Sequence, residues 1–181
     1  MVSSGSSTMT LLRYEWLPSC FLFLSSFVGP HPSFLLLLVI YRQPHGGFPT
    51  HPHRDMEIIS YAVQGGLTHQ DSMGSKETLY RGSVQYMSAG TGVRHSEFNL
   101  SGTDSLRLLQ LWITPNQKGL KPNYGSRAYQ PQDRLNKLLH LVSGDNKVLF
   151  FVLSFLLASF VHCVIFLQSS TYSSNLPLFL C

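Results

Sequence analysis

Between residues 46 and 112, apolar and polar positions alternate in short runs that Gly, Pro, Asn or Asp interrupt every few residues. No window there is long enough for a helix of about ten residues with an apolar repeat of 3.6, so the pattern predicts strands. Runs rich in Ile, Val, Tyr and Leu fall at 56–63, 67–70, 77–80, 83–87, 92–98 and 106–114. Gly65-Gly66 predicts a hairpin between two of them, because paired glycines accept the positive φ of tight primed turns. Ser72-Met73-Gly74-Ser75 offers a second turn. Only 132–141 carries apolar residues at helical spacing (Leu135, Leu138, Leu139), with a strand over 137–142 as the competing reading. Many short strands at such spacing predict an all-β sandwich or small barrel.

Charge divides the chain into three pieces: an apolar N-terminal flank (1–43), a normal middle (44–147) and an apolar C-terminal flank (148–181). Of the 22 Asp, Glu, Lys and Arg residues, 19 lie in the middle piece, and 16–41 and 148–181 have none. Residues 148–167 are apolar for long enough to span a bilayer as a helix, which would associate the protein with a membrane. Pro18, Pro30 and Pro32 break the N-terminal flank into 21–28 and 34–41, and Arg13 is the sole cation ahead of the first run, a poor secretory leader. Phe, Leu and Ser make up 20 of the 34 residues in 148–181. Translated non-coding sequence has the same pyrimidine-rich codon bias, so a truncated, non-functional product stands beside the membrane reading.

Only 12% of residues are charged, against roughly 25% in ordinary soluble domains, which excludes a disordered charged tail protein. The net charge of +4 is diffuse. No cluster of Lys and Arg forms the stripe that direct nucleic-acid binding needs. Cys20, Cys163 and Cys181 are odd in number and far apart, giving neither a disulfide framework nor a CxxC knuckle and pointing to a reducing compartment.

The chemistry concentrates in Gly47-Phe48-Pro49-Thr50-His51-Pro52-His53-Arg54-Asp55-Met56-Glu57. Alternate side chains of an extended chain share a face, so His51 and His53 point the same way with Cα atoms about 6.5 to 7 Å apart. Pro52 favours extension at His51 and removes a ladder donor, as suits an edge. Further on, in Arg94-His95-Ser96-Glu97, His95 and Glu97 again share a face. Three imidazoles and a carboxylate suit Fe(II), Mn, Ni, Cu or Zn rather than Ca or Mg, and spacing alone does not choose among them. Glu57 has the parity of a fifth ligand, or of a partner for Arg54, Arg81 or Arg94. His69 and Asp71 also share a face, and a polar strand surface is the favoured reading. Phe48, Met56, Met87 and Phe98 offer apolar walls, with core packing the favoured role.

The stretch GFPTHPHRDMEIISYAVQGGLTHQDSMGSKE, followed by MSAGTGVRHSEFN, resembles the N-terminal cupin domain of the pirin family, in particular its quercetin 2,3-dioxygenase-like members. The resemblance runs from about residue 46 to 145. It implies a double-stranded β-helix or small barrel, incomplete here, since no second cupin domain follows and only 37–40 of the N-terminal flank reads like a family strand; the apolar flanks are open to a helical reading. It implies one divalent transition metal, Fe(II) foremost with Ni, Cu, Mn or Zn as alternatives, bound by His51, His53, His95 and Glu97, and leaves Glu57 outside the ligand set. An enzyme of this kind acts on a flavonol with dioxygen, with Glu97 as the catalytic base. A non-catalytic, iron-dependent partner of transcription regulators is the alternative. Cytoplasmic or nuclear location follows by the same resemblance.

Overall fold

The computed structural model of the chain describes residues 12–13, 22–27, 34–134, 138–143, 148–157, 160–169 and 176–180. Its strands are β1 (Leu12–Arg13), β2 (Leu22–Phe27), β3 (Phe34–Arg42), β4 (Gly47–His53), β5 (Glu57–Gln64), β6 (Gly66–Asp71), β7 (Lys76–Tyr80), β8 (Ser83–Ser88), β9 (Val93–Phe98), β10 (Leu106–Ile113), β11 (Asn123–Ala128), β12 (Leu138–Ser143), β13 (Val148–Leu157), β14 (Phe160–Ser169) and β15 (Leu176–Leu180). One turn of helix, α1 (Pro131–Arg134), precedes β12. The all-β expectation holds. The six runs read from the alternation pattern coincide with β5 to β10 to within a residue or two at either end. The polar, glycine-containing β11 gave no apolar alternation to read.

The chain divides into two units, Met1–Ala128 and Tyr129–Cys181. In the first, a seven-stranded sheet runs β1-β2-β3-β10-β5-β8-β11 and a four-stranded sheet runs β4-β9-β6-β7. Both are open-edged, and the described strands do not close into a barrel. The sheets meet through a shared core: Ile40, Leu106 and Leu108 of the larger sheet pack on Leu67 and Leu79 of the smaller, with Phe48 and Trp112 against them. A second cluster joins Ile58, Met87, Ala89 and Val93, with Met56 alongside. Phe48, Met56 and Met87 thus serve packing. The N-terminal flank contributes β1, β2 and β3, and β3 pairs with β10 from Leu35 opposite Ile113 to Arg42 opposite Leu106.

Gly65-Gly66 does not make the expected hairpin. β5 pairs with β10 and β8, whereas β6 pairs with β7 and β9, so the chain passes between sheets here. The positive φ is real, +74° at Gly65, and a Cβ there would meet the Ser105 carbonyl at 2.5 Å. The glycine serves a close crossing rather than a tight turn. The second turn forms as expected and links the paired strands β6 and β7, with Asp71 Oδ1 accepting the amides of Met73 and Ser75 at 2.9 and 3.0 Å.

In the second unit, β12 to β15 form a sheet of four antiparallel strands in sequence order. Of residues 148–167, read as a candidate spanning helix, 148–157 form β13 and 160–167 most of β14, and the two strands pair antiparallel with Leu157 opposite Phe160. Apolar length alone does not distinguish the two states, and the Val, Ile and Phe content of this run favours extension. No described helix is long and apolar enough to cross a membrane. Of 132–141, read as a helix with a strand over 137–142 as the competing reading, 132–134 lie in α1, and the later part follows the strand reading, with Leu138 to Ser143 forming β12 against β13.

Candidate metal centre

The site is built on the middle of the four-stranded sheet. β9 lies between β4 and β6, with His51 directly opposite His95 on one side and Asp71 opposite His95 on the other. One step along, Glu97 faces Phe48 and His69. Period-two alternation does the rest: in β9 the side chains of Val93, His95 and Glu97 are buried while Arg94 is exposed. In β4 His51 and His53 turn partly inward while Pro52 faces solvent. The strand ends at His53, just before Asp55, whose φ of +49° is one that Asp tolerates and whose Oδ1 accepts the Gly119 amide at 2.7 Å.

His51, His53 and His95 place one ligand atom each within 4.8 Å of one another. His51 Nε2 and His95 Nε2 stand 3.0 Å apart. Two nitrogens bound at about 2.1 Å to one ion and at right angles are separated by about 3.0 Å, so this pair has the spacing of neighbouring ligands on a metal. His51 Nδ1 donates to the Pro49 carbonyl, 2.8 Å away and an acceptor only, so in the neutral ring its Nε2 carries a lone pair toward the centre. Burial, then the charge of His51, brings His53 down to about 4. Burial, then the neighbouring rings of His51, His53 and His69, brings His95 down to about 3 against the opposing pull of Asp71. Both rings are therefore neutral, the ligand form, at ordinary pH. Trp112 closes the far side with its ring edge-on to His53 at 4.9 Å between centroids.

Glu97 is buried in a second group, with His95 and His69, whose ligand atoms also lie within 4.8 Å of one another. Its Oε1 accepts the Gln85 side-chain amide at 2.8 Å and its Oε2 that of Gln110 at 2.9 Å. Burial pushes its carboxyl above the ordinary range, and the Gln110 bond, the charges of His69 and His51 and the Gln85 bond only partly offset this. The clamp is itself braced, since Gln110 Nε2 also reaches Ser60 Oγ at 3.1 Å and Gln110 Oε1 accepts from Trp112 Nε1 at 2.8 Å.

The polar-surface reading of His69 and Asp71 is overturned. His69 is wholly buried, its ring lies flat on Tyr124 at 4.5 Å between centroids, and its Nε2 is 3.1 Å from Asp71 Oδ2. Tyr124 in turn donates to Glu77 Oε1 at 2.6 Å. Burial raises the Asp71 carboxyl, but hydrogen bonds from His69 and from Ser75 and Met73 outweigh it and leave the group below its usual value. Parity singled out this pair, but its surroundings depend on β11 and β9, which are distant in sequence. Gln85 and Gln110 were missed; polar residues at inward positions of otherwise apolar strands were the available signal. Glu57 lies within 3.4 Å of Ser88 Oγ, on the other sheet.

The Escherichia coli (strain K12) protein named quercetin 2,3-dioxygenase is 54% identical over 83 residues, 46% of this chain and 36% of that protein. A pirin-like protein of Caulobacter vibrioides is 48% identical over 101 residues, 56% of this chain and 43% of the relative. The chain thus spans less than half the length of these curated relatives. Among solved structures, YhhW from Escherichia coli superposes with a TM-score of 0.64 at 32% identity, covering 81% of this chain and 67% of YhhW. A nickel(II) complex of the same bacterial pirin superposes with a TM-score of 0.64 at 29% identity, covering 81% of this chain and 68% of that one. The donor set described above can hold a divalent metal. The family model for Pirin matches residues 9–113, more than half of the sequence, and the chain belongs to that family.

Proposed function

We propose that this chain binds one divalent transition metal through His51, His53, His95 and Glu97 and acts as a dioxygenase of the quercetin 2,3-dioxygenase type, with Fe(II) the favoured ion. The observation that carries the reading is the 3.0 Å approach of two imidazole Nε2 atoms from different strands, with His53 as the third converging ring. The name borne by the Escherichia coli relative and the nickel(II) in its structural neighbour support the substrate class and the kind of ion. A metal bound here supplies Lewis acidity and redox capacity to a flavonol and dioxygen.

The chain's own residues supply positioning and proton handling. Glu97 is the base for the substrate's hydroxyl proton: burial raises its proton affinity, while the Gln85 and Gln110 amides hold its charged form in place. An open cleft of about 430 Å³ lies beside His53, lined by Pro52, Arg54, Ser72, Thr91 and Arg94 among others. It opens on the outer face of β4 and β9, where Pro52 and Arg94 meet solvent.

The test is to load the full chain separately with Fe(II), Ni(II), Mn(II), Cu(II) and Zn(II) and follow oxygen uptake and carbon monoxide release with quercetin. Turnover with at least one redox-active ion, lost in Glu97→Gln, is the expected result. Stoichiometric metal binding without turnover by any ion would overturn the enzyme and leave a metal-containing binding module.

A further inference from the structure

We propose that the buried pair His69 and Asp71 is a tautomer relay: it fixes the proton of His95 on Nδ1 and thereby turns a bare Nε2 toward the metal centre. His69 and Asp71 are then positioning residues, and the inference rests on the metal-binding reading above.

The argument follows donors and acceptors along one line of atoms. Asp71 Oδ1 is committed to the amides of Met73 and Ser75, and Oδ2 faces His69 Nε2 at 3.1 Å. An ionised carboxylate only accepts, so His69 Nε2 must carry the proton. In the neutral ring His69 Nδ1 is then an acceptor, and it faces His95 Nδ1 across a long 3.5 Å contact. His95 Nδ1 must therefore be the donor, which leaves its Nε2 as a lone pair. That lone pair points at His51 Nε2 at 3.0 Å, and the Pro49 carbonyl has already set the latter as a lone pair. Two nitrogen lone pairs held face to face with no proton between them repel each other unless a cation joins them. The side chains of His69 and Asp71 are both fully shielded from solvent, so water does not scramble the assignment. The ladder supports the same line, with Asp71 opposite His95 and His69 opposite Glu97. Outer partners of ligand histidines orient the ring and choose its tautomer in this way.

Asp71→Asn separates the relay from the fold. The new side-chain oxygen still serves the Met73 and Ser75 amides, while its NH2 group now donates toward His69 Nε2 and reverses each proton behind it. His69→Phe keeps the ring on Tyr124 but removes both nitrogens. The measurements are long-range proton–nitrogen correlation spectra of the metal-free full chain at pH 7.5, and Zn(II) affinity by competition with a chromophoric chelator. In the unaltered chain His95 is expected to be protonated on Nδ1 and His69 on Nε2. In Asp71→Asn the His95 proton moves to Nε2, and in both variants zinc affinity falls about 10- to 100-fold. A His95 ring protonated on Nε2 in the unaltered chain, or unchanged tautomers and affinity in Asp71→Asn, would overturn the relay. Wild-type affinity in His69→Phe would reduce the pair to packing. Failure of the unaltered chain to bind zinc would sink the metal reading, while the metal-free ring spectra still decide the relay.

Discussion

Metal-free protein should lose stability as the pH falls from 7.5 to 5, and His95 should be a main cause. In the fold its ring sits at about 3, against about 6.5 in an unfolded chain. Above pH 6.5 both states are neutral and the ring contributes nothing. As the pH drops below 6.5 the unfolded chain takes up a proton that the folded state refuses, so the equilibrium moves toward unfolding until the pH approaches the folded value. At pH 5 the difference amounts to about 2 kcal/mol for this ring alone. His53, at about 4 in the fold, acts with the same sign and a smaller weight because it is partly exposed. Glu97, whose carboxyl is raised, acts in the opposite sense, gaining stability as the pH falls. The assay is urea unfolding of the full chain in chelator at pH 7.5, 6 and 5, in parallel with His95→Asn. The unaltered chain should lose about 2 kcal/mol more than the variant between the two ends of the range. Equal pH slopes in the two proteins would refute the claim that burial, aided by the converging imidazoles, holds His95 neutral.

Three further outcomes are expected. His51→Ala and His95→Ala should each abolish stoichiometric metal retention, measured by elemental analysis after gel filtration, with the far-ultraviolet dichroism of His51→Ala unchanged because that side chain is only half-buried. Leu108→Ala, at a position 1% exposed where the two sheets meet, should cost about 2–5 kcal/mol of unfolding free energy in urea titrations. Gln110→Leu keeps the volume but removes a donor from Glu97 Oε2 and from Ser60, and should cost about 1–3 kcal/mol by the same assay.

The local chemistry of the centre was legible in the sequence because a strand obeys a two-residue period. Pro52 and the parity of His51 with His53, and of His95 with Glu97, set which side chains share a face before any partner strand is known. The strands 57–64 to 106–113 were readable for the same reason, each an apolar alternation bounded by turn residues. Register and sheet membership are set by contacts between distant segments, and these only the tertiary structure decided. That Gly65-Gly66 crosses between sheets rather than closing a hairpin depends on β10 standing beside β5 and β9 beside β6. That residues 148–157 and 160–167 are strands depends on β13 pairing with β12 and β14. The environment of His69 shows the limit most clearly. Its parity with Asp71 is local, but burial under Tyr124 and contact with His95 come from residues 55 and 26 positions away. Alternation gives a side chain a face, and only packing determines whether that face meets water or a neighbouring imidazole.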